Sequence, residues 1–280
     1  MIDHLSASQL TLFQRCAEHW RRRHIENERL PLTIPAHVGR AVREAVLLSL
    51  RHRMDTGLPM TPEQLRDVAV DAYARSLKNG VYVAPEELSS ARTALVDGRN
   101  SVATLAELFR RELSPRLRPA DVDRRVLLDL GLPLPVLVTL DCITPEGDLQ
   151  QVATASRRWS SDRLNGSPAH ALRREALRMH GGTPAARLFV NVLVDSKTPA
   201  LQILEAPHSP EELAVVLRRF RLMLSSVAAG IFPPAAPESW ICTPRWCGYF
   251  YSCPHVPGYR KALPVAVHGA VAAHAAAFAV

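Results

Sequence analysis

The feature that most constrains this chain is a set of cysteines drawn from its two ends. Cys242, Cys247 and Cys253 lie within Trp240 to Cys253, separated by gaps of four and five residues, and Cys16 lies near the start. Three grouped thiols plus one remote thiol make a tetrahedral S4 site that ties the ends of the chain together. Such a donor set suits zinc or an iron–sulfur cluster. Met1 to Ala7 contains Asp3 and His4 and no apolar core, so no secretory signal is expected. No run approaches the roughly 20 apolar residues of a membrane span. A cytoplasmic location follows as an expectation, and in that reducing compartment grouped cysteines are metal ligands rather than disulfides. The fifth cysteine, Cys142, sits beside Asp141 on an expected strand and reads as a buried free thiol pointing to the opposite face.

Periodicity divides the chain into parts of one domain. Residues 1–115 read as helical. Ser6 or Ser8 caps a helix running to about His24, with Leu10, Phe13, Cys16 or Ala17 and Trp20 on one face. A second helix spans about Ala36 to Met54, and Thr61-Pro62-Glu63-Gln64 is a capping box that opens a third, ending near Lys78. A longer helical stretch covers Pro85 to about Leu113, with Gly98 as a candidate break. Residues 116–230 change character. Val122 to Leu130, Pro135 to Ile143 and Leu149 to Thr154 are short strands, then come a helix over Ser167 to Met179, strands over Ala186 to Val194 and Ala200 to Glu205, and a long helix from Ser209 to Ala229. The fold class is therefore α/β, with one mixed sheet flanked by helices. Residues 231–260 form the cysteine loop. The tail, 261–280, is rich in Ala and Val and is expected to form a short helix whose His268 and His274 face solvent.

The formal charge of +7 comes from arginine, since the only lysines are Lys78, Lys197 and Lys261. Guanidinium groups bind phosphate oxygens in a fork, so the excess points to DNA, although a compositional bias would produce it too. Arg21, Arg22, Arg23, Arg173 and Arg174 are candidate phosphate contacts; the competing reading is a solvated face. Trp246, Tyr249, Phe250 and Tyr251 either stack on bases or shield the cysteine site from water.

Several stretches, in order, resemble the PD-(D/E)XK nuclease superfamily, in its RecB-like and AddB-like branch that carries an iron–sulfur staple. Leu5 to Gln9 and on through Cys16 resembles that branch's opening helix, with its first cluster ligand. Gly39-Arg40-Ala41-Val42-Arg43 resembles its Gly-x-x-x-His helix, and Leu140-Asp141 the strand bearing the first metal-binding aspartate. Gly230 to Pro234, Trp240 and the cysteine triplet resemble its C-terminal signature. The resemblance implies a restriction-endonuclease-like core and a [4Fe–4S] cluster on Cys16, Cys242, Cys247 and Cys253, with zinc as the alternative. In active members, two carboxylates bind Mg²⁺ or Mn²⁺ and a lysine orients the attacking water.

The catalytic positions depart from that pattern. On the strand after Asp141, Ala153 stands where the second carboxylate belongs and Ala155 where the lysine belongs, and the helical histidine is Arg43. Asp141 is thus vestigial, and Arg43 becomes a further candidate DNA contact or a partner for Asp141. The expected function is a nuclease-fold protein without catalysis, binding DNA or serving with protein partners in a DNA-processing or defence complex. Two alternatives stay open. One is an active Mg²⁺- or Mn²⁺-dependent DNA exonuclease using Asp141 with Asp195 and Lys197 of Val194-Asp195-Ser196-Lys197; the other is a zinc-stapled protein-interaction subunit.

Overall fold

The computed structural model describes residues 2–179, 186–209, 211–257 and 266–267. The expected tail helix, with His268 and His274, lies outside the described residues. In chain order the elements are α1 (Ala7–Arg15), α2 (Ala17–His24), β1 (Leu32–Thr33), α3 (Ile34–Thr56), α4 (Pro62–Leu77), β2 (Val81–Tyr82), α5 (Ala91–Leu108), β3 (Asp121–Leu128), β4 (Val136–Ile143), β5 (Leu149–Ala155), α6 (Pro168–Met179), β6 (Leu188–Val194), β7 (Ala200–Glu205), α7 (Glu212–Ala228) and β8 (Ala266–Val267).

β3 to β7 form one five-stranded sheet in sequence order. All neighbours run antiparallel except β5 and β6, which are parallel and joined by α6 as the crossover. The β-branched runs form these strands because they suit a pleated surface buried on both sides. One core lies under α3, α4 and α5, around Val42, Val46, Phe109, Val152 and Leu193. The other lies under α1, α6 and α7, around Trp20, Leu140, Leu172, Val192 and Phe220. The result is three layers, helix on sheet on helix.

Three local departures from the sequence expectation have physical causes. The expected first helix is two helices, because Cys16 takes an extended backbone (φ −163°, ψ 101°) and caps both. The Ala17 N–H, freed at this break, donates to the Pro233 carbonyl at 2.9 Å and so begins the tie between the chain's ends. Gly98 does not break its helix; a Cβ there would collide with the Tyr73 hydroxyl and come within 3.1 Å of Ile34, so glycine lets α5 pack close. The stretch from Pro85 is not one helix either: a 3₁₀ turn covers Pro85–Ser90 and a π turn covers Phe109–Leu113. The capping box at Thr61 is present, with Thr61 Oγ1 accepting from Gln64 N at 3.2 Å and Gln64 Oε1 accepting from Thr61 N at 3.0 Å.

Candidate functional site

β4 and β5 pair only over Cys142–Ile143 with Leu149–Gln150, then diverge. Beyond the fork, Leu5 takes over the edge of β4: its N–H donates to Pro135 O at 2.9 Å and its carbonyl accepts from Leu137 N at 2.8 Å. Asp141 sits in the fork, 2% exposed. Its Oδ2 accepts the Val152 N–H at 3.0 Å, across the gap that the ladder no longer bridges. Its Oδ1 accepts from Arg43 Nε at 3.0 Å and Nη2 at 2.5 Å. Both carboxylate oxygens are engaged, and the positive partner is a guanidinium.

Arg43 reaches Asp141 because α3 lies close on β5. A Cβ at Gly39 would stand 2.9 Å from Thr154 Oγ1, so only glycine permits that approach. A second carboxylate also faces Arg43: Asp123 Oδ1 is 3.3 Å from Nη2. Asp123 is the cross-strand neighbour of Asp141 and has φ +57°, in the left-handed region that Asp tolerates better than most residues. Sequence reasoning missed it; the break in apolar alternation along β3, where Val122 and Val126 join opposite cores, is its only trace. Burial works against the Arg43 charge, but Asp141 and then Asp123 outweigh it, so its pKa is raised. The same fork contains Arg173, whose pKa burial pushes down against the pull of Asp141.

Ala153 and Ala155 face the core beneath α6, away from Arg43, which corrects the expected register: the β5 side chains on the α3 face are Val152 and Thr154, neither an acid nor an amine. Asp195 and Lys197 lie at the β6–β7 hairpin, with Lys197 exposed. Asp195 N donates to Ala155 O, which puts Asp195 past the end of β5. That is roughly 13 Å along the sheet from Val152, at about 3.3 Å per residue. The structure therefore does not bring Asp195 and Lys197 together with Asp141.

Most candidate phosphate-binding arginines are spent inside the molecule. Arg21 forks onto Glu18 at 2.8 Å and reaches Glu26. Arg22 pairs with Glu28 at 2.7 Å, donates to Ser252 O at 3.2 Å and lies 4.5 Å over the Tyr249 ring. Arg173 Nε donates to Thr139 O at 3.3 Å, and Arg174 donates to the carbonyls of Ala206, Ala186 and Pro207. Of the six arginines expected at DNA, Arg23 alone has no ion pair or hydrogen bond among the described residues. By contrast, Arg40, Arg157 and Arg158 are exposed and unpaired among the described residues, and Arg163 stacks 4.2 Å over Trp159.

The four N- and C-terminal cysteines line one small cavity, together with His19, Ile241, Phe250 and His255. All are free thiols. Cys16 Sγ accepts the His19 N–H at 3.4 Å, and Cys247 Sγ lies 4.0 Å from His19 Nδ1. Yet no three His, Cys, Asp or Glu side chains among the described residues stand close enough to hold a metal ion. Burial raises Cys247 to about 12 and raises Cys242 and Cys253. Cys142 stands apart, buried in the other core and raised to about 12 by burial.

The loop that carries the triplet is docked by its aromatics. Tyr249 Oη donates to Glu28 O, Tyr82 Oη donates to Pro244 O at 2.5 Å, and Tyr251 Oη donates to Glu86. Gly248 lies against Leu30 and Tyr82 with no room for a Cβ. Phe250 lines the cavity and Tyr249 packs edge-on against His19 with centroids 5.0 Å apart, while Trp240 and Trp246 remain exposed.

No protein-family model matches the sequence, and no curated protein matches it. The solved crystal structure of a "putative exonuclease" from Eubacterium rectale superposes with a TM-score of 0.50, over 86% of this chain and 87% of that one. The fold is nuclease-like. At 12% identity the likeness is one of fold. It covers the five-stranded mixed sheet with helices on both faces, as the sequence led one to expect. Among the described residues no helix is long and apolar enough to cross a membrane.

Proposed function

We propose that this chain is a catalytically silent relative of the RecB-like nucleases, which binds DNA as part of a DNA-processing assembly and holds a [4Fe–4S] cluster through Cys16, Cys242, Cys247 and Cys253. The observation that carries the first half is Arg43: its guanidinium sits where a divalent cation would have to meet Asp141, and Val152 and Thr154, the β5 residues on that face, supply neither acid nor amine. A guanidinium is always charged, so a second cation would have to displace it and leave a buried carboxylate to be re-paired. Strand contact falls to the exposed arginines Arg40, Arg157 and Arg158, which are unpaired among the described residues.

The donor set supports the second half. Four free thiols lining one cavity fit a cluster bound by cysteines alone, and zinc is the alternative that the same donor set accepts. When bound, such a cluster supplies a cross-link between the two ends of the chain. The deciding experiment is anaerobic purification followed by iron and sulfide analysis, with a nuclease assay in Mn²⁺. Iron and sulfide in equal amounts and no degradation of single-stranded or duplex DNA are expected. Degradation that Asp141→Ala abolishes would refute the silent reading, and zinc without iron would refute the cluster.

A further inference from the structure

Two tryptophans stand outside the shielded thiol cavity and do no packing that explains them. Trp240 is 56% exposed and Trp246 is 47% exposed, although both belong to the loop whose other aromatics are docked. Their rings meet edge to face with centroids 5.5 Å apart. Each carries a guanidinium: Arg15 lies 5.6 Å from the Trp240 centroid and Arg245 lies 5.8 Å from that of Trp246. Arg15 has no ion pair among the described residues, and Arg245 shares Glu87 at 3.4 Å while remaining exposed. Exposed indole pairs are costly to keep in water, so a partner that covers them is indicated.

We propose that Trp240 and Trp246 form a stacking platform for single-stranded DNA. The chemistry selects this occupant. Every base presents a π-face that stacks on indole, and every linkage presents a phosphate that a guanidinium fork accepts; the platform sets one guanidinium beside each indole. A protein partner would be met by apolar neighbours, whereas here the flanks are cationic. Duplex DNA hides its base faces and is the excluded alternative. This inference rests on the DNA-binding reading above but not on the cluster being iron. It also names the strand form.

The test is fluorescence anisotropy of a labelled twelve-nucleotide thymidine strand with the full chain, loaded as purified. Trp240→Ala/Trp246→Ala is expected to weaken binding about tenfold or more, since both base–aromatic stacks are lost. Trp240→Phe/Trp246→Phe should recover part of that affinity. Arg15→Gln/Arg245→Gln should lower the salt dependence, which the tryptophan variants leave unchanged. Half-exposed rings can be removed without unfolding, and metal content checks that the thiol cavity is intact. Unchanged affinity in the alanine pair, or equal affinity for a duplex of the same length, overturns the platform alone. No binding of either DNA form by the parent chain overturns the DNA-binding reading with it.

Discussion

The Arg43 guanidinium grips a single oxygen of Asp141 through both Nε and Nη2, while the other oxygen is held by the Val152 N–H. Asp141 is almost wholly buried, whereas the Arg43 side chain is 38% exposed. Removing the arginine leaves a buried carboxylate with one donor. Losing one partner of a buried pair costs about 3–5 kcal/mol, and water entering beside Arg43 brings the expected loss for Arg43→Ala down to about 2–3 kcal/mol. Arg43→Met combined with Asp141→Asn keeps an acceptor for Val152 N and removes the stranded charge. Urea unfolding should then show the double variant more stable than Arg43→Ala, with a coupling energy of about 1 kcal/mol or more. Additive effects would mean that the pair does not hold the fork.

A second outcome concerns metal. Arg43→His takes away the competing charge and sets an imidazole beside Asp141 and Asp123. Imidazole with two carboxylates is a donor set that Mn²⁺ accepts. Electron paramagnetic resonance should detect Mn²⁺ binding at least about tenfold tighter than in the parent, which corresponds to 1.4 kcal/mol. DNA cleavage is still not expected, because Val152 and Thr154 leave the site's face of β5 without acid or amine. Tight Mn²⁺ binding by the parent chain would contradict the claim that Arg43 fills the cation's place.

The thiols divide into four and one. Cys16→Ser, Cys242→Ser, Cys247→Ser or Cys253→Ser should each reduce bound metal. Cys142→Ser should leave it unchanged, because Cys142 is buried beside Val122 and Val152 in the core under α3. The expected cost of that control is thermal stability alone. Metal analysis beside a melting curve separates the two effects, and loss of metal in Cys142→Ser would break the four-ligand assignment.

How far the sequence speaks for itself varies with the range of the interaction. β4 and β5 are legible because alternation and the Pro145–Asp148 turn are local, and the thiol cavity because its donors are a rare residue type. The kink at Cys16 is not legible, since the apolar spacing of Leu10, Phe13 and Trp20 runs straight through it; the cause is a hydrogen bond to Pro233, far along the chain. β1, β2 and β8 have two residues each and no period to read. The arginines mislead for a related reason. A run such as Arg21-Arg22-Arg23 looks alike whether it meets phosphate, water or Glu28 and Tyr249, and only the fold brings Tyr249 over Arg22.

Acid sensitivity should come from a residue outside both sites. His170 on α6 is buried, its Nδ1 is 3.4 Å from Leu164 O, and burial pushes its pKa down to about 4, with Arg173 adding to the shift. In the unfolded chain the ring titrates near its ordinary value of about 6.5. A folded pKa below the unfolded one means that protons bind preferentially to the unfolded state. His170 therefore costs nothing above about pH 6.5, and stability is lost as pH falls from there toward 4. The slope approaches 1.4 kcal/mol per pH unit and totals on the order of 3 kcal/mol by pH 4. His19 beside the thiol cavity is pushed down to about 4 by burial as well, and burial lowers the pKa of His37, so both add in the same direction. Urea unfolding between pH 7 and 4 should show the parent losing stability steeply, and His170→Leu, which keeps an apolar group under α6, should flatten the curve by about one proton's worth. An equal slope in both proteins would place the acid sensitivity elsewhere.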